Sequence, residues 1–216
     1  MPRPSRNTDA LLLQAGRELF PERGVHGLSV RMVAEHAGVN LGMFHYHFRS
    51  KQVFVQALLQ QLYDEMFAKL ELAASGTAPV DALRGALNVL GRFARDNARL
   101  LRRLLADAMA QEPLAIEFLR ANMPRHVGVL AGLVQAGQQA GLLRKLAPPQ
   151  AIAFLAGSVA APLVIGGGLR ERGVLPASVA GRFMQAVATD AAIAERVDCA
   201  LAGLAAPPVR RAKASR

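Results

Sequence analysis

Apolar residues recur every three to four positions along most of this chain, and that spacing is typical of amphipathic helices. Glycine and proline interrupt the pattern at intervals and mark the ends of the predicted elements. No segment shows the sustained alternation of β-branched residues that a strand requires, so we expect no sheet. Besides two short helices within 29–48, the pattern predicts helices at 8–23, 51–73, 80–96, 97–110, 114–141, 150–165 and 177–203, with a glycine-rich loop at 166–176.

The stretch at 29–48, SVRMVAEHAGVNLGMFHYHF, contains the most specific local signals in the chain. Ser29 is placed to cap a first short helix by accepting a hydrogen bond from a free backbone N–H. Gly38 fits the end of that helix, where a left-handed residue is common, and Asn40 can cap the next helix. A helix, a glycine turn and a second capped helix form the helix-turn-helix layout, whose second helix enters the DNA major groove.

The flanks of this stretch extend the pattern over residues 8–58, which resemble the TetR family of bacterial transcriptional repressors. The matching pieces are Leu19-Phe20 with Glu22 and Gly24, Leu28-Ser29-Val30, Val33-Ala34, Ala37-Gly38-Val39, Phe44-His45-Tyr46-His47-Phe48 and Ser50-Lys51. Two departures stand out: His45 occupies a position where the family usually has tyrosine, and Pro21 lies in the last predicted turn of helix 1. Because proline lacks an N–H, Pro21 should loosen that helix or end it early.

The resemblance implies an all-α protein in which a three-helix helix-turn-helix domain is joined by a long fourth helix to a larger C-terminal helical domain. We place a TetR-type DNA-binding domain at 6–66 and a regulatory and dimerisation domain at 67–206. The basic segment 207–216 is expected to be a disordered tail.

The formal net charge of +10 suits a polyanionic partner, either nucleic acid or an anionic membrane surface, although it also suits simple solubility. Arg3 and Arg6 in the N-terminal arm are candidates for DNA phosphate contacts. The uncharged run 151–169 is about long enough to span a bilayer. Pro162 and three glycines interrupt it, so we expect a helix buried between subunits and no membrane contact.

The single cysteine, Cys199, rules out an internal disulfide and fits a reducing cytoplasm. Its place in an apolar helical pattern predicts a small core residue. The N-terminal sequence MPRPSRNTD has no apolar region of the kind that a signal peptide needs, so we expect a cytoplasmic protein.

Candidate DNA contacts follow from the predicted second helix of the motif and from family positions. Residues near its N-terminus read bases, and here these are Asn40, Leu41, Gly42 and Met43. Arg31 occupies a family position that can reach either a base or a phosphate. Ser29, Tyr46 and Lys51 match family positions for phosphate contacts, and His45 does so with altered chemistry.

Catalytic and metal-binding patterns are missing from the sequence. We find no paired carboxylates, phosphate-binding loop, GxSxG motif or dinucleotide fingerprint. His45 and His47 are two residues apart on a predicted helix and point to nearly opposite sides, so they cannot share a metal ion. We expect a protein that is not an enzyme and that needs neither a cofactor nor a metal.

The leading hypothesis is a repressor that binds a palindromic operator in double-stranded DNA as a homodimer and is released by a small apolar or amphipathic ligand. The alternative is a DNA-binding regulator controlled by a partner protein, with no small-molecule ligand. A third class, a helical enzyme or lipid-handling protein, would carry the N-terminal domain without using it. The subunit interface is predicted in the weakly charged helices at 150–165 and 177–203.

Family members generally bind small ligands between the helices of the larger domain. The candidate lining here consists of apolar residues with one amide: Phe67, Leu87, Leu90, Phe93, Leu104, Met109, Phe118, Asn122, Met123 and Phe154. The same residues would also serve to fill a close-packed core, and the sequence leaves both readings open.

Overall fold

The computed structural model describes residues 8–76 and 78–207, and helices make up nearly all of it. The helices are α1 Thr8–Gly27, α2 Val30–His36, α3 Leu41–Phe48, α4 Lys51–Ala74, α5 Pro79–Asp96, α6 Ala98–Met109, α7 Pro113–Gln139, α8 Pro148–Val159, α9 Gly167–Glu171, α10 Ala177–Val187 and α11 Asp190–Leu204, with a π-helical segment at Pro162–Gly166. No strand occurs in these two ranges, which confirms the all-α prediction. Arg3, Arg6 and the predicted tail beyond Pro207 lie outside the described residues.

The first helical segment of α1 ends at Gly24, directly after its predicted end at residue 23, and Pro21 does not end it early. Gly24 is non-helical, with φ 63°, and a short helical turn follows it up to Gly27. Glycine accepts this left-handed conformation without a steric penalty, so the backbone changes direction there and not at the proline. The space beside Gly24 is filled by Arg103 of α6, since an added Cβ would lie 2.0 Å from its Nε.

A buried carboxylate fixes the kinked end of α1 to α6. Asp107 Oδ2 accepts a hydrogen bond from the Val25 N–H at 2.9 Å, and its Oδ1 lies 2.9 Å from Arg103 Nε. The Asp107 side chain is almost fully buried, so both contacts form away from bulk water. A hydrogen bond from a backbone N–H to a carboxylate is stronger than one between neutral groups, so the Val25–Asp107 contact holds the kinked end of α1 on α6.

The predicted glycine-rich loop at 166–176 is wrong in its first half. After α8 the chain passes through the π-helical segment and continues as α9, so helical structure extends from Pro148 to Glu171 with little interruption. Within the described residues, this helical run, Pro148–Glu171, is the one that is long and apolar enough to cross a membrane by length and composition alone. Only 33% of its most apolar window is buried within the subunit.

The predicted single helix at 177–203 is also wrong, because the chain breaks it into α10 and α11. Thr189 caps α11 by accepting a hydrogen bond from the Ala192 N–H at 3.1 Å, and this local contact starts a new helix. Cys199 is exposed and is not the core residue that we expected. The buried side of α11 is instead formed by Ile193, Val197, Ala200, Leu201 and Leu204.

The buried side chains form a first cluster around α1–α4 and a second around α4, α5, α7, α8 and α11, with a small third cluster beside the π-helical segment. The first cluster is not confined to the N-terminal helices. It also contains Leu100 and Leu104 of α6 and Leu114 and Ala115 of α7. A three-helix core this small is marginal alone, and these four residues enlarge it from the C-terminal side.

Candidate functional site

Both predicted caps of the helix-turn-helix are present in the structure. The Ser29 hydroxyl accepts a hydrogen bond from the Met32 N–H at 3.2 Å, and the Asn40 side-chain oxygen accepts one from the Met43 N–H at 2.9 Å. Gly38 takes the left-handed conformation, with φ 67°, that turns the chain between the two helices. Because the Asn40 oxygen serves the cap, only its NH₂ group remains for a base or a phosphate.

A cluster of three phenylalanines holds α3 against α4. The ring centroids of Phe44 and Phe48 lie 5.2 Å and 5.0 Å from that of Phe54, and all three side chains are buried. Aromatic pairs at these distances add to the stabilisation that comes from burial alone. The opposite face of α3, which contains Leu41, Gly42, His45 and Tyr46, is exposed, whereas Met43 is half-buried. The predicted DNA-contact residues of α3 therefore share one accessible face, with Met43 at its margin.

Three of the predicted contacts, Arg31, Lys51 and His45, already interact with other groups of the subunit. Arg31 is exposed and its Nε donates a hydrogen bond to Glu35. This bond raises the pKa of the Arg31 guanidinium above its ordinary value. Lys51 Nζ lies 3.4 Å from the His26 carbonyl oxygen, and His45 Nδ1 lies 3.2 Å from the Arg49 carbonyl oxygen. Arg31 must exchange Glu35 for a base or a phosphate if it contacts DNA.

Arg49 was not among the predicted contacts. It follows α3 directly with φ 58°, and its side chain is exposed one residue before the Ser50 cap of α4. A basic residue between a recognition helix and the next cap was the signal in the sequence that could have identified it.

Replacing Lys51 by alanine is expected to weaken binding to all DNA sequences by a similar factor. A phosphate contact releases about one counterion, so the slope of log affinity against log salt should flatten by about one unit. Lys69→Ala, an exposed lysine about five turns further along α4, is the matched control and should leave the slope unchanged. A salt titration in which the two variants behave alike would contradict this docking geometry.

The larger helical domain contains a cavity of about 380 Å³ between α4, α5, α6, α7 and α8. Seven of the ten predicted ligand-contact residues line it: Leu87, Leu90, Phe93, Leu104, Phe118, Asn122 and Met123. Leucine, valine and aromatic side chains supply most of the rest of the wall. Ligand sites for small molecules are commonly apolar cavities of this size with a few polar groups.

The three other predicted residues do not line the cavity. Met109 is at the C-terminal end of α6 and is 81% exposed, and Phe154 lies on the outer side of α8, against Gly203 of α11. Phe67 stacks on Tyr63, and the Arg125 guanidinium lies 4.2 Å from its ring centroid. Apolar spacing identifies a buried face of a helix, but it does not say which neighbouring helix or space that face meets.

Two polar residues in the cavity wall, Tyr63 and His126, were missed by the sequence reasoning. The Tyr63 hydroxyl donates to the Asn122 carbonyl at 2.7 Å and lies 3.4 Å from His126 Nδ1. Burial lowers the pKa of His126 below its ordinary value and raises that of Tyr63. The lowered pKa of His126 and the raised pKa of Tyr63 both favour the neutral forms of these groups in the cavity wall.

The cavity opens to solvent between α6, α7 and α8. Leu105, Met123 and Ala156 line it and are also exposed, one on each of these helices. These three side chains form the rim of the cavity, and Ala156 is the smallest of them.

Acidification is expected to destabilise the fold through His126. Because burial lowers the pKa of this imidazole in the folded state, the unfolded chain takes up a proton first as the pH falls. Stability should thus be unaffected by His126 well above the ordinary histidine pKa and should fall as the pH drops below it. Unfolding free energies of the wild type and His126→Gln, measured between about pH 8 and pH 5, should diverge towards low pH. Parallel curves would show that the imidazole does not lose its proton on folding.

A metal site is not suggested by the residues in the two described ranges, because no group of three or more histidine, cysteine, aspartate or glutamate side chains there could hold an ion. The features that remain are a capped helix-turn-helix with an exposed recognition face and a helical domain with an apolar cavity. Together they define a DNA-binding transcriptional regulator of the helix-turn-helix class.

Comparison with known proteins confirms the resemblance that the sequence showed. Residues 12–58, which contain the helix-turn-helix, match the family model described as bacterial regulatory proteins, tetR family. It is 27% identical over 146 residues to the HTH-type transcriptional regulator RutR of Escherichia coli K12, which covers 67% of this chain and 68% of RutR. Over 75 residues it is 36% identical to the HTH-type transcriptional repressor KstR2 of Mycobacterium tuberculosis H37Rv, covering 34% of this chain and 38% of KstR2.

Solved structures show the same fold. A TetR family transcription regulator from Marinobacter aquaeolei VT8 superposes with a TM-score of 0.66 at 19% identity and covers 93% of this chain and 97% of that chain. HlyIIR, a hemolysin II transcriptional regulator, superposes with a TM-score of 0.58 at 21% identity, covering 83% and 96% of the two chains. The relatives are named as regulators and not as enzymes, in agreement with the sequence expectation.

Proposed function

We propose that this protein is a repressor that binds a palindromic operator as a homodimer and leaves it when a small apolar or amphipathic ligand enters the regulatory domain. The observation that carries the proposal is the cavity of about 380 Å³ between α4 and α8. Close-packed protein cores contain few voids larger than a water molecule, so imperfect packing alone does not explain a space of this size. The name of one relative, a transcriptional repressor, supports the sign of the regulation.

An exposed apolar stripe supports the homodimer. Phe154 on α8, Ile165 on the π-helical segment and Leu169 on α9 are all exposed and follow one another along the uncharged helical run. Cys199 and Gly203 of α11 are exposed on the adjoining helix, and Phe154 contacts the second of them. A two-fold axis through this stripe would cover it with its own copy, since a symmetric interface uses the same patch on both subunits.

Two helices connect the cavity to the DNA-binding helices. In α4, Leu59 and Leu62 line the cavity while Phe54 supports α3. In α6, Leu104 lines the cavity while Asp107 holds the end of α1. A ligand that fits the cavity of the DNA-incompetent dimer better shifts the equilibrium towards it, whereas equal affinity for both states would shift nothing. Because the start of α4 supports α3 and its later turns line the cavity, we place the domain boundary within α4, near residue 66.

The test begins with DNA selected from fragments of the source genome by the full-length protein. A library of apolar and amphipathic small molecules is then scored by two measurements, the thermal shift of the free protein and the loss of binding to the selected DNA. We expect compounds that do both. Ala156→Trp, which blocks the rim of the cavity, should abolish the response and retain DNA binding, whereas Ala68→Trp on the exposed side of α4 should respond like the wild type.

The result that would overturn the ligand-controlled model is selective, salt-dependent operator binding with no compound that releases it. Regulation by a partner protein would then be the better model. A failure to select any DNA sequence would reject both.

A further inference from the structure

A second cavity, separate from the apolar one, lies where α1 meets the regulatory helices. It has a volume of about 310 Å³, and five arginines line it: Arg17, Arg95, Arg99, Arg102 and Arg170. We call it the arginine cleft. Its wall includes α1 and α4 on one side and α5, α6 and α9 on the other, so a molecule bound there would contact both parts of the chain.

Four of the five guanidiniums have carboxylate partners. Arg17 pairs with Glu65, Arg99 with Glu22, Arg102 with Glu171, and Arg95 with both Asp96 and Asp190. Among the described residues Arg170 has no carboxylate partner, and its Nε donates to the Ala180 carbonyl at 3.1 Å. A guanidinium has five N–H donors, so these pairs leave donors for a further acceptor in every arginine.

For Arg17, Arg95 and Arg102 the guanidinium lies deeper than its carboxylate partner, whereas Arg99 and Glu22 are about equally exposed. The side chains of Arg17, Arg95 and Arg102 are 18–28% exposed, whereas those of their carboxylate partners are 47–66% exposed. Solvent screens the outer carboxylates more strongly than the inner guanidiniums. The three deeper guanidiniums are therefore less screened than their carboxylate partners, although two of those carboxylates, Asp96 and Glu171, also line the cleft.

The apolar part of the cleft wall strengthens the attraction of these guanidiniums for an anion. Leu62, Leu100 and Leu163 line the cleft, and apolar side chains lower the local dielectric response around the guanidiniums. The volume is roughly ten times the share of one molecule in liquid water, about 30 Å³, so it exceeds what a single phosphate ion needs. Arginine also binds phosphate and carboxylate oxygens through two parallel hydrogen bonds, which favours planar or tetrahedral oxyanions over halides.

From these observations we infer that the arginine cleft binds a small metabolite carrying a multiply charged oxyanion, either a phosphate or a set of carboxylates. Such a ligand bridges Arg17 of α1 to Arg102 of α6 and Arg170 of α9, and it stabilises one arrangement of the DNA-binding helices relative to the regulatory helices. Leu62 and Leu100 also line the apolar cavity, so the two sites share a wall. The inference goes beyond the proposed function and does not depend on a ligand in the apolar cavity.

The experiment is calorimetric titration of the full-length protein, without DNA, at constant ionic strength. Pyrophosphate and citrate are the two ligands, and chloride is the reference anion. We expect saturable binding of at least one of the two and no saturable effect of chloride. Preference for pyrophosphate would identify a phosphate group and preference for citrate a polycarboxylate, and either result supports the inference.

Variants locate the site. Arg170→Gln removes an exposed guanidinium that has no carboxylate partner in the described chain, so it should fold normally and weaken binding at least about tenfold, as the loss of a charge-assisted hydrogen bond requires. Arg102→Gln tests the deeper position in the same way. Arg92→Gln, on the exposed side of α5 and outside the cleft, is the control and should bind like the wild type.

Two results would overturn the inference. One is the absence of saturable binding of both oxyanions at millimolar concentration, and the other is equal weakening by Arg92→Gln and Arg170→Gln, which would indicate attraction to net positive charge alone. If Arg170→Gln instead weakened only DNA binding and flattened its salt dependence, the cleft would be a DNA phosphate contact and not a metabolite site.

Discussion

Replacing Phe54 by alanine is expected to destabilise the protein by about 3–5 kcal/mol, the range for emptying a fully buried aromatic site. Phe54 is 0% exposed, and its ring contacts both Phe44 and Phe48. Their mutual packing would be lost together with the apolar burial. Since typical domains are stable by only about 5–15 kcal/mol, this one substitution would remove a large share of the total. Urea unfolding followed by circular dichroism measures the loss.

The neighbouring residue provides a matched control for this experiment. Val53 also lies in the first turn of α4, but it is 45% exposed and outside the phenylalanine cluster. Val53→Ala should cost less than about 1 kcal/mol, because surface substitutions seldom exceed half that value. Operator affinity should fall with Phe54→Ala even at temperatures where the variant is folded, since α3 loses the platform that orients it. Equal losses in the two variants would contradict the importance of the cluster.

Introducing a glutamate at Ile165 is expected to convert the proposed dimer into monomers and to lower operator affinity by at least about 100-fold. Ile165 is 60% exposed in the isolated subunit and lies in the middle of the uncharged stripe. In a two-fold interface the substitution occurs twice, so two unpaired carboxylates would have to be desolvated close together. A single helix-turn-helix reads one half-site, and separated subunits lose the simultaneous contact with both. Sedimentation at micromolar concentration and operator titration measure the two effects.

Leu72→Glu is the control for the dimer prediction. Leu72 is 77% exposed near the end of α4, away from the stripe, and a charge there has no interface to disrupt. This variant should remain dimeric and bind the operator like the wild type. A wild-type protein that sediments as a monomer while bound to DNA would reject the interface outright.

The helix-turn-helix could be predicted from the sequence because its determinants are local. Ser29, Gly38 and Asn40 each act on backbone groups within three or four residues, and the structure places all three as their spacing indicated. The same property explains a failure elsewhere. Thr189 caps α11 by the same kind of local contact, yet the apolar pattern ran through it and predicted one helix where there are two.

The cavity and its polar edge could be predicted only in part because they depend on which helices meet. Leu87 and Phe93 line the cavity while Phe67 and Phe154 do not, although all four occupy apolar positions in helical patterns. His126 had no ligand spacing around it in the sequence. Its importance comes from Tyr63, which is 63 residues away and lies on α4.

The arginine cleft could not be predicted from the sequence for a related reason. The attraction that we infer for an anion comes from the greater depth of Arg17, Arg95 and Arg102 relative to their carboxylates, and a list of charges does not show depth. Arg17 and Arg170 lie more than a hundred residues apart along the chain and line the same space only after folding.

Because α6 and α7 contribute to the first hydrophobic cluster, the DNA-binding helices cannot simply be fused to the regulatory domain of another protein. Leu100, Leu104, Leu114 and Ala115 complete the packing around α1–α4, and Asp107 satisfies the amide of Val25. A chimera that joined residues 8–66 to the regulatory domain of another protein would lack all five residues. Its DNA-binding helices would then contain a packing cavity, and the Val25 N–H would have lost its Asp107 acceptor. The DNA-binding half is thus not an interchangeable module: exchange of specificity by recombination has to carry α6 with it, or find a sensor whose α6 offers the same surface.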